Sequence, residues 1–296
     1  MSNLKQAIKQ NYLKCAKDPS YFINEFCVIQ HPQRGKIKFK LYPYQYDVLD
    51  EYAENDYNVI LKSRQLGIST LTAAYSLWMM LFNADKNILC IATAKDTAKN
   101  LVTKVRVMYD GLPQWLKTAI VENNKLSLVF KNGSQIKAIA SNESAGRSEA
   151  LSLLILDEAA FIEKADTIWT AAQQTLATGG DALILSTPNG VGNFFHKTWV
   201  GAEEGVNQFN FIKLHWTVHP ERDEEWRKEQ DEILGPSQAA QECDCDFITS
   251  GKTVVDGKTL EWYKETFCCE PLEKRGIDGN YWIWEPPNYT KTYVVS

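Results

Sequence analysis

No apolar run in the 296-residue sequence approaches the roughly 18 residues that a membrane-spanning helix needs, so no bilayer span is expected. The opening MSNLKQAIKQNYLKCAKDPS has no apolar stretch behind its charges, which argues against a secretory signal. A basic excess is missing too. Lys and Arg number 32 against 37 Asp and Glu, a net charge of −5, so a coat of positive charge for indiscriminate nucleic-acid binding is excluded and only a local patch is allowed. The seven cysteines are odd in number and follow no disulfide framework, so free thiols in a reducing cytosol are expected. Neither Cys243 and Cys245 nor the adjacent Cys268 and Cys269 has a second pair at zinc spacing. His215 and His219 lack partners for a complete ligand set, so no zinc is expected. Internal repeats and low-complexity tracts are absent. What remains is the composition of a soluble globular protein, 44% hydrophobic, long enough for one large domain or a core with an appendage.

From Tyr57 to about Trp216, short apolar runs alternate with helical stretches. Strands are expected at Tyr57–Lys62, Asn87–Thr93, Leu153–Leu156, Ala182–Leu185 and Phe209–Leu214, with helices over Thr70–Phe82, Lys95–Tyr109 and Glu163–Ala177 between them. Continuous rather than alternating apolar strands separated by helices indicate a parallel sheet covered on both faces. Asn132-Gly133 signals a two-residue hairpin turn and hence an antiparallel interruption. The expected fold is a three-layer α/β core. After about Phe247 neither helical nor strand periodicity is clear, which suggests a small subdomain or linker. The run Glu221–Glu229 mixes both charge signs and reads as a solvated helix face.

The first strand runs into Lys62-Ser63-Arg64-Gln65-Leu66-Gly67-Ile68-Ser69-Thr70, a candidate phosphate cradle. Against G-x-x-x-x-G-K-[ST], Gly67 takes the second glycine and Ser69 the Mg²⁺-ligating hydroxyl. Ile68 stands where lysine is usual, and Lys62 stands where the first glycine is usual. A strand-loop-helix turn still aims amides and a helix N-terminus at one point, which suits a triphosphate. The positive charge must then come from Lys62 or Arg64. Downstream, Leu153-Leu-Ile-Leu156 ends in Asp157-Glu158, two carboxylates at a strand's C-terminal edge. Asp157 is the candidate Mg²⁺ holder, and Glu158 the group that orients and deprotonates the attacking water. A further strand ends in Ser186-Thr187-Pro188-Asn189-Gly190, which would bring Ser186 and Thr187 beside the γ-phosphate.

The segments SRQLG, LLILDEAAFI and LSTPNG, in this order and spacing, resemble the large terminase subunit of tailed bacteriophages, the ATP-driven motor that packs DNA into procapsids. The resemblance implies an additional-strand, catalytic-glutamate P-loop NTPase that uses ATP and Mg²⁺. It also implies double-stranded DNA, a portal ring, a procapsid and a small terminase subunit as partners, with self-association into a ring. The expected location is the host cytoplasm, transiently on the portal. Tyr44 and Gln45 match the family's adenine-recognising segment. Arg147 matches an arginine that can act on a neighbouring subunit's nucleotide, so Glu158, Arg147 and Arg64 are the catalytic candidates. An ATPase core over 1–247 and a linker subdomain over 248–290 are expected. Residues 291–296 resemble the strand that opens the family's ribonuclease-H-like nuclease, and the sequence stops before any acidic cluster that could bind two metals, so nuclease activity is not expected of this chain. A helicase-like ATPase and a non-hydrolysing packaging scaffold are the alternatives.

Overall fold

A computed structural model describes residues 2–141, 150–177, 179–247, 257–276, 281–286 and 290. In chain order the elements are α1 (Ser2–Lys17), α2 (Pro19–Phe26), β1 (Val28–His31), β2 (Gly35–Lys38), α3 (Pro43–Glu54), β3 (Tyr57–Lys62), α4 (Ile68–Phe82), β4 (Asn87–Ala92) and α5 (Lys95–Gly111). They continue with β5 (Ile120–Asn123), β6 (Ser127–Phe130), β7 (Gln135–Ala140), β8 (Leu153–Asp157), α6 (Ala165–Leu176), β9 (Asp181–Ser186), α7 (Phe194–Glu203), β10 (Asn210–Leu214), α8 (Glu224–Leu234) and α9 (Pro236–Cys243). Last come α10 (Gly257–Phe267), β11 (Glu273–Arg275) and β12 (Tyr281–Ile283).

The central sheet has the order β10-β3-β9-β8-β4-β7-β6-β5. Pairing is parallel from β10 through β7 and antiparallel for the β7-β6 and β6-β5 pairs. Successive strand residues point to opposite faces, and here both faces are covered. Ile60, Ile155 and Leu185 pack with Leu71, Leu77 and Val102 of α4 and α5. Val59, Leu154 and Ile184 pack with Ile168, Ala172 and Trp199 of α6 and α7. Burying each such side chain contributes roughly 1.5–3 kcal/mol, which is why these runs carry no polar alternation. Helix α4 likewise carries no charged residue. Its far side lies under the N-terminal segment, where Phe22 meets Phe82 at 5.5 Å, Tyr52 meets Tyr75 at 5.4 Å and the Trp78 indole donates to the Cys15 carbonyl.

The hairpin at Asn132-Gly133 differs from the expected two-residue turn. Gly133 N–H donates to Phe130 O and Phe130 N–H to Ser134 O, leaving a three-residue loop with Gly133 at φ 83°. That is the turn-plus-bulge geometry glycine favours. The chain divides into two compact units, Met1–Lys252 and Thr253–Ser296. The second contains α10 and the antiparallel β11-β12 pair, regular elements that its sequence did not announce. The expected strand at 291–296 lies outside the described residues.

Candidate active site

Three neighbouring strands deliver the site. β3, β9 and β8 run parallel and in step, with Leu61 opposite Ser186 and Leu185 opposite Asp157, so their C-terminal ends share one edge. β9 is the strand inserted between the phosphate-loop strand and the acidic strand. Ligands of open α/β sheets bind at such an edge, where the strand order changes direction.

The loop between β3 and α4 places Gln65 at φ 59° and Gly67 at φ 74°. A Cβ on Gly67 would meet Gln45 Nε2 at 2.9 Å, so only glycine fits both the conformation and the space. α4 then begins at Ile68, whose side chain is 1% exposed and anchors in the core; at this position only the backbone is left to meet a ligand. Ser69 Oγ donates to Asp157 Oδ1 at 3.2 Å. Lys62, itself buried, places Nζ 3.4 Å from Glu158 Oε1. Glu158 sits at φ 56° and ψ 44°, a left-handed conformation that costs a non-glycine residue about 1–3 kcal/mol. Hydrogen bonds hold that turn in place: Glu158 N–H to Asp157 Oδ1, Ala160 N–H to Ser186 Oγ, and Asn189 Nδ2 to Ala160 O.

Burial pushes the Asp157 carboxyl up from the ordinary carboxylate range, while the charges of Lys62 and Lys104 oppose that shift. Burial also pulls the Lys104 ammonium down, with Asp157 acting against it. A buried carboxylate beside a hydroxyl offers hard oxygen donors, the set that fits Mg²⁺ shared with phosphate oxygens and water. Among the described residues no cluster of three or more His, Cys, Asp or Glu forms a protein-only metal cage.

The family described as terminase large subunit, T4likevirus-type, N-terminal, matches residues 59–261. The chain belongs to that family. The large terminase subunit of Thermus virus P23-45 is 31% identical over 170 residues, covering 49% of this chain and 33% of that protein. The chain thus matches about a third of the length of this curated relative. The large terminase ATPase domain of Thermus phage P74-26 superposes with a TM-score of 0.57 at 23% identity, covering 71% of this chain and 95% of that one. The large terminase of a thermophilic bacteriophage, solved in complex with ADP, gives 0.55 at 12% identity, covering 68% and 52%. These structural likenesses establish the terminase P-loop fold.

Lys62, Ser69, Asp157 and Glu158 of this terminase chain converge, with Ser186 supporting the Glu158 turn. Arg64 does not join them. Its side chain is 60% exposed and pairs with Glu242 at 3.4 Å. Tyr44 and Gln45, the expected base-reading pair, are both bonded to the phosphate loop. Tyr44 Oη and Gln45 Nε2 both donate to Leu66 O, at 2.8 and 3.1 Å, and Gln45 Oε1 accepts from Tyr42 N–H. With Gln45 1% exposed and both ends of its amide engaged, the pair supports the loop. Ser63 is buried, with N–H donating to Leu214 O and Oγ to Glu242 O. Thr70 N–H donates to Gly67 O, and its side chain lines a cavity of about 410 Å³ with Val28, Lys104 and Met108. Thr187 is buried beside Ser186. Arg147 lies outside the described residues.

The charge run is not wholly solvated, because two of its arginines are tied down. Arg227 forks onto Asp244 through Nε and Nη2, both at 2.7 Å. Arg222 donates to Arg64 O at 3.0 Å and Gln65 O at 3.2 Å. Arg227 also bonds Asp231 one turn along α8, at 2.7 Å, but nothing in the mixed-sign pattern marked the Asp244 contact or that of Arg222, whose acceptors lie on distant segments and, for Arg222, on the backbone. His215 and His219 flank a single 3-10 turn, Trp216–Val218, and the His219 ring packs 4.5 Å from that of Tyr42.

Proposed function

We propose that this chain is the ATP-hydrolysing motor domain of a terminase large subunit, driving double-stranded DNA into a procapsid. The observation that carries this reading is the meeting of Lys62, Ser69, Asp157 and Glu158 at one sheet edge, in a chain of the terminase family. The phosphate-loop amides and Lys62 receive the phosphates, and Ser69 and Asp157 hold Mg²⁺. When bound, the metal supplies charge neutralisation on the phosphate oxygens. Glu158, on its fixed turn, orients the attacking water and takes its proton. Arg147 acts on the site of a neighbouring subunit once the chains form a ring on the portal, in the host cytoplasm and with the small terminase subunit as partner. The family and the ADP complex of the thermophilic-phage terminase support this reading.

The test is phosphate release from ATP with and without double-stranded DNA and Mg²⁺. Wild-type protein should turn over ATP only with the metal. Glu158→Gln should lower turnover by about 10²–10⁴ while leaving ATP affinity unchanged, because only proton transfer is lost. Wild-type turnover in that variant would overturn the assignment.

A further inference from the structure

Three successive carbonyls of the phosphate loop are pinned from outside. Arg222 Nη1 donates to Arg64 O at 3.0 Å and Nη2 to Gln65 O at 3.2 Å. Tyr44 and Gln45 donate to the next, Leu66 O. In a trans peptide plane the C=O and N–H point to opposite sides. Fixing these three carbonyls therefore aims the N–H groups of Gln65, Leu66 and Gly67 the other way. The left-handed φ values at Gln65 and Gly67 produce the run of convergent amides that makes an anion-binding concavity. Among the described residues none of these three N–H groups makes a hydrogen bond.

We propose that Arg222 is a positioning residue for phosphate. From behind the loop it holds the two peptide units whose N–H groups receive the anion, without touching the nucleotide. The arrangement needs a fork, because one head group must reach two neighbouring carbonyls, and a lysine ammonium lacks that planar geometry. Arg222 is itself held. Its guanidinium lies 4.3 Å over the Trp226 ring, and Trp226 packs against Trp216 at 5.9 Å. Asp223, the next residue, caps α8 by accepting from Trp226 N–H. The bland alternative is that Arg222 merely fastens α8 to the core, as Arg227 does through Asp244.

This inference rests on the ATP-binding reading, and one titration separates the two. ADP and inorganic pyrophosphate are titrated with Mg²⁺ into wild type, Arg222→Lys, Arg222→Ala and Arg227→Ala. Arg222→Lys should weaken both ligands about tenfold or more with little change in melting temperature, since charged hydrogen bonds are lost. Millimolar guanidinium should restore affinity to Arg222→Ala, an effect that a purely structural role would not produce. If Arg222→Ala fails to fold, Arg222→Lys decides alone. Wild-type affinity in Arg222→Lys would overturn the proposal, as would an equal loss in Arg227→Ala, because loosening α8 would then suffice. Absence of binding by wild type would bring down the parent reading and this inference with it.

Discussion

Lys62, at the end of β3, and Arg64, two positions on in the loop, differ in burial. The Lys62 side chain is 8% exposed against Glu158, whereas that of Arg64 is 60% exposed against Glu242. An ammonium held in a poorly hydrated site acts on phosphate charge far more strongly than a solvated guanidinium. An exposed ion pair contributes only about 0–1 kcal/mol. Lys62→Ala should therefore lower ATP turnover by roughly 10²–10³, the loss typical of a charge-stabilising group in an active site. Arg64→Ala should stay within about threefold. Steady-state kinetics on both variants decide the matter, and equal losses would return the phosphate contact to Arg64. From sequence alone the two basic residues were equivalent, because their partners, Glu158 for Lys62 and Glu242 for Arg64, lie on distant segments of the chain.

Among the elements, the strands were legible because β3, β8 and β9 carry unbroken apolar runs through their centres, Val59–Leu61, Leu153–Leu156 and Ala182–Leu185, a pattern that a doubly covered sheet requires. The acidic strand end and the Gly67 turn were legible for a related reason: ligand chemistry and backbone conformation restrict those residue types. The N-terminal helices were not announced, since α1 has a mixed exposed surface and packs through scattered residues such as Cys15. The α8-α9 contact with the loop was hidden for another reason, as backbone carbonyls accept from Arg222 whatever side chains they carry. β9 also carries a pH response at its far end. Burial, reinforced by the nearby Asp56 charge, pushes the Asp181 carboxyl up from 3.8 to about 6. The folded chain thus holds that proton more tightly than the unfolded chain. The ionised carboxylate costs stability above about pH 6, and the cost is relieved as pH falls toward 4. Asp181→Asn should melt above wild type at pH 7, with the difference vanishing near pH 4. A pH-independent difference in thermal scans would show that the carboxyl charge is not the cause.

For the whole molecule, the decisive boundary is set by how the phosphate loop is held, and that hold lies inside the first compact unit, Met1–Lys252. The segment after α9 returns to the loop. Glu242 O accepts from Arg64 N–H at 2.7 Å, Cys245 Sγ donates to Leu214 O at 3.3 Å, and Asp244 receives the Arg227 fork. Both hydrophobic clusters also fall within this unit. A polypeptide ending at Lys252 should therefore unfold cooperatively and bind ADP with the affinity of the full chain. One ending at Gly235 keeps every strand of the central sheet but loses α9, Glu242 and Cys245. Each buried donor or acceptor left unpaired costs about 1–3 kcal/mol, and a chain of this size loses roughly 2–4 °C of melting temperature per kcal/mol. Losing two such partners should lower the melting temperature by roughly 4–24 °C and weaken ADP binding, because Arg64 N–H and Ser63 Oγ lose their acceptor, Glu242 O, at the start of the loop. Calorimetric melts and ADP titrations of the two polypeptides carry the comparison. Full affinity in the chain ending at Gly235 would mean that β3 and α4 alone set the loop, and weakened affinity in the chain ending at Lys252 would place part of the nucleotide site beyond the first unit.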